Sequence, residues 1–223
     1  MQWQDEGYLL SKNSFNENSI IIESFTLNHG KYAGIVYGGA SKKQKKIFQI
    51  GNKVSLNLRS KSENKTGYFT VELIEPVAPL FFDSKKKSIC VLAAMSILKI
   101  LLPERQVNKK IYTSFDHLIK HFERDDWIFL YIYWELSLIK ELGFEINFLD
   151  NNYSTGQLID KVKINDKYLK VPKLFLDKNK QNINNYNIKE ALMFNKSLIL
   201  ENFILPNKLR IPIFRNILEK YYD

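Results

Sequence analysis

The residues best suited to chemistry in this chain are cationic and clustered. Lys42, Lys43, Lys45 and Lys46 follow Gly38-Gly39 and the strand-like Lys31–Val36 within His29–Lys46. Lysine is a point charge that imposes little geometry on its partner, so such a run suits a polyanion. The glycine pair ahead of it reads as a turn delivering a flexible, solvated loop. The same run also reads as a loop that only keeps the chain soluble. Other chemistries fail on their spacing. Gly34–Ser41 has the glycines of a phosphate-binding P-loop, but Ala40 stands where a lysine is required. His117 and His121 lie four apart on a helix, yet Leu118 holds the position of a zinc protease's glutamate and no third ligand is evident. Asp125-Asp126 read as carboxylates opening a helix. There is no Gly-x-Ser-x-Gly, no paired cysteine and histidine, and no run of acids at metal spacing. A binding protein is therefore expected, with no catalytic residue, no metal and no cofactor.

The totals point the same way. At 223 residues the chain fits one large domain or two ordinary ones, and 45% apolar residues exclude a disordered protein. The formal charge is +9 and the pI near 9.3, which favours an acidic partner. Lys, Asn and Ile are abundant and Arg is rare, a pattern that AT-rich codons also produce, so placement matters more than the total. Gly30–Lys65 carries nine cations and one acid, Glu63; Phe81–Asp160 carries ten and eleven; Lys161–Asp223 carries thirteen and six. Two basic blocks flank a near-neutral middle. Cys90, the one cysteine, excludes a disulfide and a cysteine zinc site, and its apolar surroundings predict a buried, inert thiol. The opening MQWQDEG lacks the regions of a signal peptide, and Ile89–Leu102 is too short for a membrane span. A soluble, cytoplasmic protein is expected.

The elements that position these residues change character along the chain. Gly7–Ser11, Ser19–Phe25, Lys31–Tyr37, Val54–Arg59 and Tyr68–Ile74 are rich in β-branched and aromatic residues and separated by turn signals. Val54, Leu56 and Leu58 alternate with Ser55, Asn57 and Arg59, which puts Arg59 on an outer face. Five short strands suit a small barrel, with the OB-fold ahead of an SH3-like barrel. Phe48 is expected to plug that barrel. Tyr37, whose hydroxyl tolerates water, is the stacking candidate for a base. Pro76 and Pro79 mark a boundary. Beyond it the apolar period is helical, with helices from Lys87 (Ile89, Leu92, Ala93, Ser96, Ile97 and Ile100 on one face), over Ile111–Phe122 and over Asp125–Leu142 (Ile128, Tyr131, Ile132, Glu135, Leu138, Ile139 and Leu142 at three-and-four spacing), the last closed by Gly143. A hairpin around Asn165-Asp166 within Val162–Lys173 and helices near Ile188–Phe203 and Pro212–Tyr222 complete the pattern. The fold expected is α+β: a five-stranded OB-fold barrel over 1–78 and an all-α helical domain over 79–223.

The barrel part carries, in order, Trp3-Gln4-Asp5-Glu6-Gly7, Glu17-Asn18-Ser19, His29-Gly30, Gly38-Gly39-Ala40-Ser41-Lys42-Lys43 and Phe69–Glu75. The helical part adds Leu101–Arg105, Trp134-Glu135-Leu136, Glu141–Phe144 and Arg210-Ile211-Pro212 with Arg215. In this order the segments resemble the RecO family of bacterial recombination mediators. The resemblance implies binding of single- and double-stranded DNA, annealing of complementary strands, and cooperation with RecR, RecA and single-strand-binding protein at the bacterial nucleoid. DNA would then meet Lys31, Tyr37, Lys42, Lys43, Lys45, Lys46 and Arg59. The acidic C-terminal tail of single-strand-binding protein would meet the helical domain, with Arg105, Arg210 and Arg215 as candidates. Many relatives carry a zinc-binding cysteine cluster after the Glu-Leu-Gly segment; here Ile146–Tyr153 has no cysteine, so zinc is excluded. Two alternatives share the barrel and the charge. One is an RNA-binding OB module, which would discriminate through the 2′-hydroxyl. The other is a protein-interaction module whose basicity reflects codon usage.

Overall fold

Period-two alternation produces five N-terminal strands: β1 (Gln2–Ser14), β2 (Ser19–Thr26), β3 (Gly30–Tyr37), β4 (Lys53–Arg59) and β5 (Gly67–Glu75). The computed structural model of the chain describes residues 1–62, 65–144, 161–165, 167–176 and 183–223. The strands follow the order β1-β2-β3-β5-β4, and β4 returns to β1 to close a barrel. Only β3 and β5 run parallel, meeting at Gly34 with Gly67 and Ile35 with Tyr68. This is the OB-fold expected from the sequence, in its α+β setting. β1 is longer than the Gly7–Ser11 expected because it serves two neighbours: Gln2–Tyr8 pair with β4 and Gly7–Ser14 with β2. A register shift between Leu9 and Ser11 bends it from one partner toward the other.

The barrel is filled by Leu9, Ile22, Phe48, Leu56, Leu58 and Phe69 among others, and Phe48 is 1% exposed, the plug its position suggested. Gly34 on β3 lies beneath the Phe69 ring. A Cβ there would lie 2.3 Å from the Phe69 ring, so the absent side chain lets that ring lie against the β3 backbone.

One helix and the first part of the next belong to the same compact unit as the barrel, which comprises Met1–Asp116 and Pro212–Arg215. The sheet ends at Glu75, and the division between compact units falls after Asp116. Helix α1 (Lys85–Leu101) is capped by Ser84, whose hydroxyl accepts from the Lys87 amide at 3.4 Å. Its buried side is not the face expected. Cys90, Val91, Ala94 and Leu98 are buried with Ala93 and Ile97, whereas Ile89, Leu92, Ser96 and Ile100 are only half-buried. The helix is apolar nearly all round, so periodicity does not single out a face. Helix α2 (Lys109–Lys120) follows, and its residues to Asp116 complete this unit.

The second unit comprises His117–Ile211 and Asn216–Asp223. Its elements are α3 (Trp127–Glu141), the hairpin β6 (Lys161–Ile164) and β7 (Lys167–Lys170), the single turn α4 (Lys173–Leu176), and α5 (Asn185–Ile199). Helix α6 (Ile213–Lys220) closes the chain and contributes its later residues here. The hairpin forms where expected, with Asn165 at φ 53°; Asp166 lies outside the described residues. So does Ile146–Tyr153, on which the comparison with zinc-binding relatives rests. Helix α3 buries the face its spacing suggested, including Glu135, which is fully enclosed and accepts the Tyr131 hydroxyl at 2.9 Å. Helix α5 lies against α3 through Asn195, whose side-chain amide donates to the Ile132 carbonyl at 2.9 Å. Gly143 stops α3 at φ 101°, its amide donating to the Lys140 carbonyl.

Candidate nucleic-acid interface

The outside of the barrel has two flanks. On the first, Tyr8 of β1 and Phe25 of β2 pack against Tyr112 and Phe115 of α2, with ring centroids 4.9 to 5.8 Å apart. Polar groups are paired within this contact. The Tyr8 hydroxyl donates to Asp116 at 2.7 Å and the Tyr112 hydroxyl to Glu6 at 3.1 Å. Lys53 Nζ lies 3.0 Å from both carboxylates. Burial, reinforced by those carboxylates, pushes both phenols far above their ordinary range, so they act only as neutral donors. Burial works against the Lys53 charge, but Glu6 and Asp116 outweigh it and hold the ammonium above its usual range. Lys99 of α1 meets Glu23 of β2 at 2.7 Å, and the Ser11 hydroxyl donates to the same carboxylate.

On the second flank the outward residues meet water. Tyr37, ending β3, and Tyr68, opening β5, are 65% and 42% exposed, yet their rings stack 4.8 Å apart at 16°. A hydrogen bond with Tyr68 raises the Tyr37 phenol above its ordinary range. The parallel β3–β5 pairing brings the two strands together here, and β4 sets exposed Arg59 opposite Tyr68. Lys61 and Lys65, in the loop leading from β4 to β5, are exposed as well.

The lysine run lies between β3 and β4. Its backbone is closed by successive turns: the Ser41 amide donates to Gly38, Gln44 to Ser41, Lys45 to Lys42 and Ile47 to Gln44. Gly38 enters this series at φ 70°, a left-handed conformation that glycine adopts at little cost. At the far end Asn52, itself fully buried, donates its side-chain amide to the carbonyls of Lys46 and Ile47 at 3.0 and 3.1 Å. With Phe48 in the core, the loop is a turn pinned at both ends, not the slack connection its composition suggested. Lys42, Lys43, Lys45 and Lys46 are all exposed.

The sequence-selected residues therefore separate. Tyr37, the four loop lysines and Arg59 are exposed on this unit. Lys31 is not so placed: its ammonium donates to the Lys99 carbonyl near the end of α1 at 2.7 Å, and burial lowers its pKa. Arg105 is exposed, with its guanidinium 4.9 Å above the Tyr32 ring and its amide donating to the Lys31 carbonyl. Arg210 is exposed, but Arg215 is fully buried and presents no charge to a partner's surface. Tyr68, Lys61 and Lys65 join the exposed set without having been selected. Tyr68 had a legible signal, since it alternates with buried Phe69 on the closing strand. Among the described residues no cluster of three His, Cys, Asp or Glu could hold a metal ion, and the His121 ring nitrogen lies 2.9 Å from the His117 carbonyl. No described helix is long and apolar enough to cross a membrane.

A five-stranded barrel with this strand order, followed by helices, defines an OB-fold protein with a helical second part. Residues 1–77 match the family model for Recombination protein O N terminal, and residues 85–204 match that for Recombination protein O C terminal. A Roseobacter denitrificans protein named DNA repair protein RecO is 32% identical over 168 residues, 75% of this chain and 69% of the relative. Relatives of the same name from Cereibacter sphaeroides and Mesorhizobium japonicum are 36% identical over 151 residues and 34% over 168. The alignment spans 61% of the length of the Cereibacter protein and 66% of the Mesorhizobium one. The chain belongs to the RecO family.

Proposed function

We propose that this chain is a non-enzymatic DNA-binding mediator of recombination and repair. It binds single- and double-stranded DNA, anneals complementary strands, and helps load a recombinase onto strands covered by single-strand-binding protein. The observation that carries the reading is the exposed Tyr37–Tyr68 stack with Arg59 opposite it on a barrel that also bears the exposed lysine run. Stacked phenols offer a face to a base of any sequence, and the cations meet the phosphates. Annealing needs two polyanions brought together, and neutralising both lowers their repulsion. Tyr37, Lys42, Lys43, Lys45, Lys46 and Arg59 remain the DNA-binding residues, with Tyr68, Lys61 and Lys65 added; Lys31 is set aside because its charge is committed to α1. Arg105 and Arg210 stay as candidates for RecR, RecA or the acidic tail of single-strand-binding protein, and Arg215 does not. Family membership supports this reading, and the relatives' name, DNA repair protein, agrees with it.

The test is fluorescence anisotropy of a labelled single strand titrated from low to physiological salt, followed by an annealing assay with complementary strands. Tight binding with a steep salt slope and accelerated annealing is the expected result. Absence of binding at low salt would overturn the reading.

A further inference from the structure

The segment that follows the lysine run helps to line a pocket of about 310 Å³ in the barrel-bearing unit. Ile50, Phe81, Phe82 and Leu92 give it apolar walls, and Lys12 and Gln49 give it polar points. Phe81 is buried, but Phe82 is 65% exposed, so a ring that forms part of the wall meets water. Phe82 is held in place by the short turn before α1, where its amide donates to the Pro79 carbonyl at 3.3 Å. Among the described residues that line the pocket, none is acidic. Gln49 is three residues from Lys46, at most about 11 Å along the chain. Lys12 is itself exposed.

We propose that this pocket takes one unpaired nucleobase from a single strand whose phosphates lie on the lysine run; this rests on the DNA-binding reading above. The base stacks on Phe82, the Gln49 amide meets its hydrogen-bonding edge, and Lys12 meets a neighbouring phosphate. Bases in a duplex are paired and stacked, so a slot of this kind favours single strands over double ones. An acidic peptide with an apolar side chain also matches a cationic rim. The two aromatic rings, the side-chain amide and the direct continuity with the lysine run favour the base.

The experiment compares the full chain's affinity for a deoxythymidine oligomer and for an abasic strand of equal length, with salt titration. To remove the Tyr37–Tyr68 platform from the comparison, it is repeated in a Tyr37→Ala, Tyr68→Ala background. The expected result is a residual preference for the base-bearing strand of roughly five-fold, as one stacked base gives. Phe82→Ala abolishes that preference without changing the salt slope, and Phe82→Tyr restores it. Unchanged thermal unfolding of Phe82→Ala confirms that the fold is intact. Steep, salt-dependent binding whose base preference ignores Phe82→Ala overturns the pocket and leaves the DNA-binding reading standing. Phe82-dependent affinity for an acidic peptide ending in phenylalanine, with no effect on base preference, assigns the pocket to a protein partner and overturns it too. No binding of either strand by the unmodified chain removes the DNA-binding reading itself.

Discussion

The two flanks of the barrel use the same residue types to opposite ends. On the covered flank Tyr8 and Tyr112 direct their hydroxyls at Asp116 and Glu6, Lys53 sits between those carboxylates, and Lys31 donates to a carbonyl of α1. On the open flank Tyr37 and Tyr68 stack on each other in water, and Arg59, Lys61 and Lys65 are exposed nearby. A buried charge must be paired, since its desolvation is costly, whereas an exposed charge keeps its hydration and stays available to a polyanion. Cations and phenols hold the barrel to its helices on one side and are left exposed to water on the other.

The sharpest way to break this comparison is to exchange the roles by mutation. Lys53→Met removes one partner of a largely buried ion cluster and leaves Glu6 and Asp116 facing each other. A loss of stability of about 3 kcal/mol is expected, with DNA affinity of the folded protein unchanged. Chemical denaturation together with anisotropy below the unfolding midpoint checks both halves. A neutral effect on stability would mean that the covered flank is held by its aromatic packing alone. Reversing Lys42, Lys43, Lys45 and Lys46 to Glu is expected to do the converse. Affinity for single-stranded DNA falls by roughly a hundred-fold or more, and the slope of log affinity against log salt drops by about 3, as loss of four phosphate contacts requires. Thermal unfolding stays nearly where it was. An unchanged salt slope would make the run a solubility device.

Lys53 and Lys43 are equivalent in a one-dimensional reading, both being lysines in the same basic block. What separates them is Asp116, sixty-three residues further on and brought up by α2. No local pattern reports that meeting, and the same holds for Lys31 with Lys99 and for the burial of Arg215. Strand and helix positions were legible because they depend on neighbours two to four residues apart. The inward side of β4 and the buried Glu135 of α3 follow from such spacing, whereas the plugging Phe48 follows only from being a large apolar residue in a small barrel. The buried face of α1 did not, because a helix that is apolar nearly all round carries no phase. For the open flank, Tyr37 and the lysine run were legible from their exposed composition, while the Tyr37–Tyr68 stack depends on the parallel pairing of β3 with β5, which only closure of the barrel creates.

That stack gives the next test. Tyr37→Ala removes one ring of the pair and is expected to weaken single-strand binding by about ten-fold, leaving the salt slope intact because no cation is lost. Tyr37→Phe keeps the ring and removes only the hydroxyl bonded to Tyr68, so affinity should remain within about two-fold. Titration of a labelled strand at several salt concentrations separates stacking from charge. Equal losses in the two variants would show that the hydroxyl pair, rather than the aromatic faces, carries the contact.

The smallest effect expected belongs to the covered flank and concerns pH. Burial raises the Glu23 carboxyl, but the hydrogen bonds from Lys99 and Ser11 outweigh it and hold the group below its ordinary value of 4.5. A carboxylate depressed in the folded state stabilises the protein at pH values above its unfolded pKa. That contribution is lost as pH falls through the folded value, because protonation then costs the folded chain more than the unfolded one. The window lies below about pH 4.5, and the partly exposed pair limits the effect to about 1 kcal/mol or less. Glu23→Gln has no charge to lose, so its unfolding midpoint should drop less than the unmodified chain's between pH 5 and pH 3, while lying slightly lower at pH 7. Parallel acid curves for the two proteins would mean that the Lys99–Glu23 pair contributes nothing beyond its packing. Helix α1 would then be held to the barrel by apolar contact and the Lys31 hydrogen bond.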